Sequence, residues 1–130
     1  MAATYLDSSA IVKLAVREAE SVALRRYLRR RRPLVTSSLA RAEVLRALLP
    51  AGENAVAAGR KVLTRLDLVR INNRVLDEAA TLLPVGVRTL DAIHLATAGQ
   101  LGPDLGMLVT YDDRMAEAAK RIGHRVVAPR

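Results

Sequence analysis

The sequence contains no cysteine, no tryptophan and no phenylalanine. Without cysteine the chain cannot form a disulfide scaffold, an iron–sulfur cluster, a thiolate zinc site or a cysteine nucleophile. Imidazole ligands for a metal could come only from His94 and His124. A metal site in this chain would therefore consist almost wholly of oxygen ligands, which favours magnesium or manganese over zinc or copper.

Two further absences limit the class of protein. No apolar run approaches the roughly 18 residues needed to span a membrane, and the N-terminal residues lack the basic-then-apolar pattern of a secretory signal peptide. The 130 residues, 51% hydrophobic and 26% charged, are typical of one folded domain rather than a disordered chain. We therefore expect a single domain over residues 1–130, located in the cytoplasm.

Positive charge exceeds negative charge, since 21 Lys and Arg stand against 13 Asp and Glu for a net charge of +8 at pH 7. Nearly all of the basic residues are arginine, whose forked guanidinium matches phosphate oxygens, so a polyanion such as nucleic acid or an anionic membrane surface is the expected partner. Aromatic side chains for base stacking are scarce, so binding should depend on backbone and shape. The densest basic cluster gives the candidates for binding nucleic acid, and a solvated helix end is its alternative explanation. The cluster consists of Arg25, Arg26, Arg29, Arg30, Arg31 and Arg32.

The spacing of apolar residues predicts five strands that alternate with helices. The strands are expected at 4–7, 34–36, 68–71, 107–110 and 125–128, and the helices at 8–16, 18–31, 39–49, 55–66, 73–83, 89–101 and 112–121. Such alternation is typical of right-handed crossovers, which give a mainly parallel sheet covered by helices on both faces. The predicted fold class is therefore α/β, with ligands beyond the carboxyl ends of the strands.

Four acidic residues lie where this fold could bring them together. Asp7 ends the first strand, Asp112 follows the strand at 107–110, and Asp91 lies in the first turn of a helix. Glu43 lies inside a helix, on a partly apolar face that is expected to point inward. Because parallel strands end at one edge of a sheet, we expect the four carboxylates to share that edge.

Each acid also has a simpler explanation. Asp7 and Asp112 are typical helix N-caps, Asp91 complements a helix dipole, and Glu43 could pair with Arg46. A cluster of all four needs more, because two like charges about 4 Å apart repel by about 4 kcal/mol at an effective dielectric constant of about 20. A few such pairs equal the whole stability of a domain, about 5–15 kcal/mol. Converging carboxylates would therefore require a divalent cation.

Four segments resemble, in order, the motifs of the PIN-domain family, and they are most similar to the VapC-like toxin ribonucleases of type II toxin–antitoxin systems. They read YLDSSA at 5–10, SLARAE at 38–43, LDAIHLA at 90–96 and VTYDDRM at 109–115. The resemblance extends over essentially the whole chain. It implies a single PIN-like domain built as a three-layer α/β/α sandwich around a mainly parallel five-stranded sheet.

By position, the resemblance implies catalytic acids that hold one or two Mg²⁺ or Mn²⁺ ions at Asp7, Glu43, Asp91 and Asp112. The family pattern of threonine, any residue, aspartate selects Asp112 over Asp113 through Thr110. The side chains expected to orient these ligands are Ser8, Thr110 and Asp113. His94, three residues after Asp91, is expected to be a core or surface residue rather than a functional one.

The resemblance also implies an endoribonuclease. A cation held by the acids would bind the scissile phosphate, lower the pKa of a bound water and offset charge on the departing 3′ oxygen, while one carboxylate accepts the water's proton. The implied substrate is structured RNA, either tRNA or a ribosomal RNA loop, and the implied partners are a VapB-like antitoxin and a second copy of the chain, with no membrane. The alternative function is a noncatalytic RNA-binding or scaffold domain that keeps the fold.

Overall fold

The computed structural model describes residues 2–130. In this part of the chain five strands form one sheet: β1 (Ala3–Leu6), β2 (Leu34–Ser37), β3 (Asp67–Val69), β4 (Leu105–Val109) and β5 (Val126–Val127). Their order across the sheet is β3-β2-β1-β4-β5, and every neighbouring pair is parallel. The predicted α/β class and five-stranded parallel sheet are confirmed.

Helices cover both faces of the sheet. Within residues 2–130 the α-helices are α1 (Ser8–Ala15), α2 (Ser21–Leu28), α3 (Ala40–Leu48), α4 (Glu53–Leu63), α5 (Asn73–Ala80), α6 (Thr89–Gly99) and α7 (Asp113–Arg121). Buried side chains of α1 to α4 form one core with the sheet, and those of α5 to α7 pack on the other face. The three-layer α/β/α arrangement is therefore confirmed. None of these helices is long and apolar enough to cross a membrane.

The central strand β1 explains how the two cores meet. All four of its residues are buried, as is typical of a parallel strand covered on both faces. Successive side chains point to opposite faces, so Tyr5 packs toward α6 and α7 while Leu6 packs toward α1 to α4. Full burial of a side chain such as Leu6 stabilises the fold by about 1.5–3 kcal/mol.

The predicted helix at 18–31 is shorter than expected, because α2 covers only Ser21–Leu28. The Ser21 hydroxyl donates to the carbonyl oxygen of Lys13 and accepts from the backbone N–H of Glu18, which holds the segment before α2 in a turn. Residues 29–32 then leave the helix and lead into β2. The alternative of a solvated helix end therefore applies to Arg25, Arg26 and the C-cap residue Arg29, but not to the three arginines that follow.

The strand order places a switch point between β1 and β4. The chain builds β1, β2 and β3 toward one side and then returns to add β4 on the other side of β1. Leu6 and Val109 are paired in register, so β1 and β4 end together. We call the side of the sheet where the strands end the carboxyl edge, and the side where they begin the amino edge. Ligands of open parallel sheets bind at the carboxyl edge beside such a switch point.

Candidate active site

Asp7 follows β1 at the switch point and is held on both carboxylate oxygens. Its Oδ1 accepts the backbone N–H of Ala10 at 3.1 Å and the hydroxyl of Ser9 at 2.6 Å, and its Oδ2 accepts the hydroxyl of Thr110. Burial raises the pKa of Asp7 above its ordinary value, although these three hydrogen bonds oppose the rise. Asp7 is therefore the N-cap of α1, as the simpler explanation holds, and at the same time a buried carboxylate at the edge where ligands bind.

Glu43 of α3 is oriented by two other elements. Its Oε1 accepts the hydroxyl of Ser8 at 2.6 Å and lies 2.6 Å from His94 Nε2. Burial acts to raise the pKa of Glu43, but His94 and Ser8 outweigh it and hold that pKa below its ordinary value. The alternative of a surface pair with Arg46 is wrong, because the side-chain partners of Glu43 within residues 2–130 are Ser8 and His94.

His94 connects Glu43 to the core. Its side chain is 2% exposed, and its Nδ1 lies 2.7 Å from the hydroxyl of Tyr5. Burial raises the pKa of Tyr5 far above its ordinary value, so the phenol remains protonated and can donate to Nδ1. In that arrangement Nε2 carries the hydrogen that is donated to Glu43. His94 is thus a core residue, as expected, that also contacts a predicted site residue, which the expectation missed.

The signal for His94 was present in the sequence. It follows Asp91 by three residues, and residues at that spacing occupy the same face of a helix. A histidine one turn after a candidate ligand is well placed to reach the same site as that ligand.

Asp91 is the acid whose pKa is raised by the other three. It is half-buried in the first turn of α6 and makes no side-chain hydrogen bond with any residue in 2–130. Burial raises the pKa of Asp91, and the carboxylates of Asp112, Asp7 and Glu43 raise it further, against an opposing effect of His94. The other three predicted acids therefore lie near enough to Asp91 at the carboxyl edge to raise its pKa.

Thr110 joins Asp7 to Asp112. Its Oγ1 donates to Asp7 and accepts the backbone N–H of Asp112 at 3.1 Å. Asp112 caps α7 by accepting the backbone N–H groups of Arg114 and Met115. The neighbouring Asp113 is exposed and makes no side-chain hydrogen bond within the described chain. Of the two adjacent aspartates, Asp112 is the one tied to the other acids.

The donor set suits a hard divalent cation, because every candidate ligand is a carboxylate. Each carboxylate has about four lone-pair positions, and Asp91, together with one oxygen of Glu43 and one of Asp112, keeps positions free for a metal. Between residues 2 and 130, no three Asp, Glu or His side chains already converge closely enough to hold a metal ion. The residues fit a cation in chemistry and charge, and side-chain rotation of the less buried acids is needed to enclose one.

The arginine cluster lies at the amino edge, away from these acids. The backbone carbonyl of Arg31 accepts the hydroxyl of Thr4 near the start of β1, and the guanidinium of Arg31 stacks 4.0 Å from the ring of Tyr27. Two cavities, of about 330 Å³ and about 310 Å³, are lined by members of the cluster together with Arg125 or Arg65. The four residues of β1 span about 13 Å, so the cluster and the acids are separated by the length of a strand. RNA binding by this cluster stays a prediction.

Comparison with known proteins shows the family of the chain. A family model described as the PIN domain matches residues 4–121. Ribonuclease VapC46 of Mycobacterium tuberculosis is 69% identical over 129 residues, which is 99% of this chain and 99% of that protein.

Two solved structures share the fold. The sarcin-ricin loop cleaving toxin VapC20 of M. tuberculosis superposes with a TM-score of 0.78 at 18% identity, covering 97% of this chain and 99% of that one. The other, a toxin–antitoxin complex from Klebsiella pneumoniae, gives a TM-score of 0.73 at 20% identity over 98% of both chains. The family match, the identity to VapC46 and the shared fold lead to one conclusion: the chain belongs to the PIN-domain family, among its VapC-like ribonucleases.

Proposed function

We propose that this chain is a divalent-cation-dependent endoribonuclease, the toxin of a toxin–antitoxin pair, which hydrolyses phosphodiester bonds in structured RNA. The observation that carries the proposal is the group of interacting carboxylates at the carboxyl edge of a chain whose net charge is +8. A fold does not accumulate like charges at one edge without a function for them, because each close pair costs stability. Membership among the VapC-like ribonucleases supports the reaction.

The four acidic side chains of the site differ in how many hydrogen bonds hold them in place. Asp7 is fixed by Ser9, Ala10 and Thr110, so its position follows the end of β1. Glu43 is turned by Ser8 and His94 so that Oε2 stays free. The half-buried Asp91 makes no side-chain hydrogen bond within residues 2–130, and the exposed Asp112 caps α7 through Oδ1 and keeps Oδ2 free.

The proposed metal ligands are Asp7, Glu43, Asp91 and Asp112. When bound, Mg²⁺ or Mn²⁺ supplies Lewis-acid activation of the phosphate and of a water. The hydrogen bonds from Ser8, Thr110 and His94 orient the ligands, and partners of this kind commonly change metal affinity or activity by 10- to 100-fold when removed. Asp113 takes no part in this arrangement in our proposal, because it is exposed and makes no side-chain hydrogen bond within the described residues.

The substrate and partners follow from the family. A ribosomal RNA loop or tRNA is the proposed substrate, supported by the description of the structural relative VapC20 as a sarcin-ricin loop cleaving toxin. A VapB-like antitoxin is the proposed partner, supported by the toxin–antitoxin complex from Klebsiella pneumoniae. We also propose that the toxin forms a homodimer. The basic cluster at the amino edge would then contact RNA at a distance from the bond that is cut.

Cleavage of total RNA with and without metal tests the proposal. Wild-type protein, an Asp7→Asn variant and an Asp77→Asn control are incubated with RNA in Mn²⁺ or in chelator, and new 5′ ends are mapped. Asp77 lies on exposed surface of α5, away from the acids, so the control removes a carboxylate of the same type. We expect cleavage at defined positions by the wild type and the control in Mn²⁺ only, and none by Asp7→Asn. Equal cleavage in chelator would reject the metal-dependent mechanism, and RNA binding without cleavage in any condition would favour the noncatalytic alternative.

A further inference from the structure

A basic cavity adjoins Asp91 on the face opposite α1 to α4. Three arginines, Arg88, Arg114 and Arg121, line it together with Asp91, and its volume is about 240 Å³. That volume lies below the range of about 300–1,000 Å³ typical of sites for drug-sized ligands, so the cavity suits a smaller group. Its lining contains no aromatic residue on which a base could stack.

Two of the three arginines lie near the acids, and the third lies further away. Arg88 directly precedes α6 and Arg114 lies in the first turn of α7, so both belong to the carboxyl edge. Arg121 lies seven residues after Arg114 on the same face of α7, about 10 Å further along the helix axis. Because α7 connects the end of β4 to the start of β5, this face leads from the acids toward the amino edge.

Two of the guanidinium groups are free to bind an anion. Those of Arg88 and Arg114 make no hydrogen bond or ion pair within the described residues. The guanidinium of Arg121 pairs with Glu117 at 3.0 Å. Three arginines thus face two carboxylates in the cavity, and one of these, Asp91, is already assigned to the metal site.

We propose that this cavity binds the backbone phosphates of the RNA strand next to the bond that is cut. Arg88 and Arg114 bind the phosphate adjacent to the scissile one, and Arg121 binds the following phosphate. Forked guanidinium donors match phosphate oxygens, and the buried Met115 and Ala118 provide an apolar floor for the ribose. This inference rests on the proposed function, because the acids locate the scissile phosphate. Because the cavity adjoins Asp91, the phosphate next to one held at the acids comes within reach of Arg88 and Arg114, which favours RNA over an acidic segment of an antitoxin as the occupant.

Binding of a fluorescein-labelled oligouridylate in chelator tests the inference without cleavage. Fluorescence anisotropy is measured over a range of salt concentrations for the wild type, Arg88→Gln, Arg114→Gln and an Arg46→Gln control. Arg46 is exposed near the end of α3, so the control removes one positive charge far from the cavity. We expect affinity to fall about tenfold in each cavity variant, since a hydrogen bond to a charged group is lost. The salt dependence of log Kd should fall by about 0.7 for each lost contact. The control should change affinity less than about twofold.

A Glu117→Gln variant gives a test that misfolding cannot mimic. Removing this exposed carboxylate releases Arg121 from its ion pair, so we expect the oligouridylate to bind about threefold more tightly. Unchanged or weaker binding by Glu117→Gln would contradict the inference.

The outcomes separate this inference from the proposed function. If the wild type cleaves RNA in Mn²⁺ but Arg88→Gln and Arg114→Gln bind oligouridylate as Arg46→Gln does, the phosphate subsite is wrong and the ribonuclease stands. If the two cavity variants keep their RNA affinity and lose binding to an antitoxin, the cavity holds the antitoxin and the inference is overturned. If the wild type never cleaves RNA, the proposed function fails whatever the variants bind.

Discussion

The two edges of the same sheet differ in the charged residues that adjoin their strands. Acidic side chains follow β1 and β4 at the carboxyl edge, whereas arginines precede β2 and β5 at the amino edge. All strands of a parallel sheet run the same way, so residues just after strands gather at one edge and residues just before strands gather at the other. Substitutions should therefore be able to change the reaction at the acids without changing the attraction of a polyanion by the arginine cluster, and the reverse.

The two edges also differ in how firmly their side chains are held. At the carboxyl edge, Asp7 is 4% exposed and makes three hydrogen bonds, and Glu43 is turned by Ser8 and His94. At the amino edge the charged groups of Arg30 and its neighbours are exposed. Substitutions at the carboxyl edge should thus change rates by orders of magnitude, and those at the amino edge by small factors.

The largest effect is expected for Asp91→Asn. RNA cleavage should fall by more than about 100-fold, because the variant lacks a proposed metal ligand. In chelator the variant should be more stable than the wild type, because no charge is then buried at this position and Asp112, Asp7 and Glu43 have no charge there to repel. Initial cleavage rates and thermal unfolding measure the two effects. Loss of activity together with loss of stability would mean that Asp91 has a structural role and would break the contrast between the edges.

The next largest effect is expected for His94→Ala. Removing the group that links Glu43 to Tyr5 should lower cleavage by about 10- to 100-fold and weaken Mn²⁺ binding. Because an amide can still donate to Glu43, His94→Gln should recover part of the activity. Cleavage rates against Mn²⁺ concentration measure this. Equal defects in the alanine and glutamine variants would show that His94 fills space rather than orienting Glu43.

The positions of the acids could be predicted from the sequence more fully than those of the residues that orient them. Asp7 and Asp112 directly follow apolar strands, and strand ends in a parallel sheet share an edge, so local spacing was sufficient. The spacing of His94 from Asp91 indicates a shared helix face, but its partners Tyr5 and Glu43 lie 89 and 51 residues away in sequence, so the spacing does not reveal which side chains His94 contacts. The end of α2 likewise depends on the hydrogen bond from Ser21 to Lys13, a contact between two helices.

The position of the arginine cluster follows from the strand that comes after it. Residues 29–32 directly precede β2, so the rule that brings Asp7 and Asp112 to the carboxyl edge places them at the amino edge. Composition alone led to an expectation of RNA binding without a location. The same rule places Arg114, which follows β4, at the carboxyl edge, whereas Arg88 lies there because it directly precedes α6, the helix that leads back to the start of β4.

The pH dependence of stability should differ with and without metal. Burial raises the folded-state pKa values of Asp7 and Asp91, so the folded chain takes up protons before the unfolded chain as pH falls. In chelator these two groups add stability as pH falls from neutral toward the ordinary aspartate range, and they remove it again as pH rises through their folded pKa values. Mn²⁺ should reverse the trend, because protons then compete with the cation.

Thermal unfolding of the wild type and of an Asp7→Asn, Asp91→Asn double variant, compared at each pH, isolates this contribution from the rest of the titrating groups. The difference between the two proteins should shrink as pH falls in chelator. A stability difference that is independent of pH would show that the charges of Asp7 and Asp91 do not destabilise the fold. That result would contradict the contrast between the two edges.

The smallest effect is expected for Arg30→Gln at the amino edge. The side chain is exposed, so the free energy of unfolding should change by less than about 0.5 kcal/mol. With saturating RNA the cleavage rate should be unchanged, because the acids lie about 13 Å away along β1. At low salt KM should rise by up to about threefold, and its salt dependence should weaken, since one arginine no longer attracts the RNA backbone. Steady-state cleavage at several salt concentrations distinguishes the two edges directly. A lower rate at saturating RNA would mean that the amino edge positions the scissile bond and is not merely a site of general attraction, and the two edges would then act as one surface.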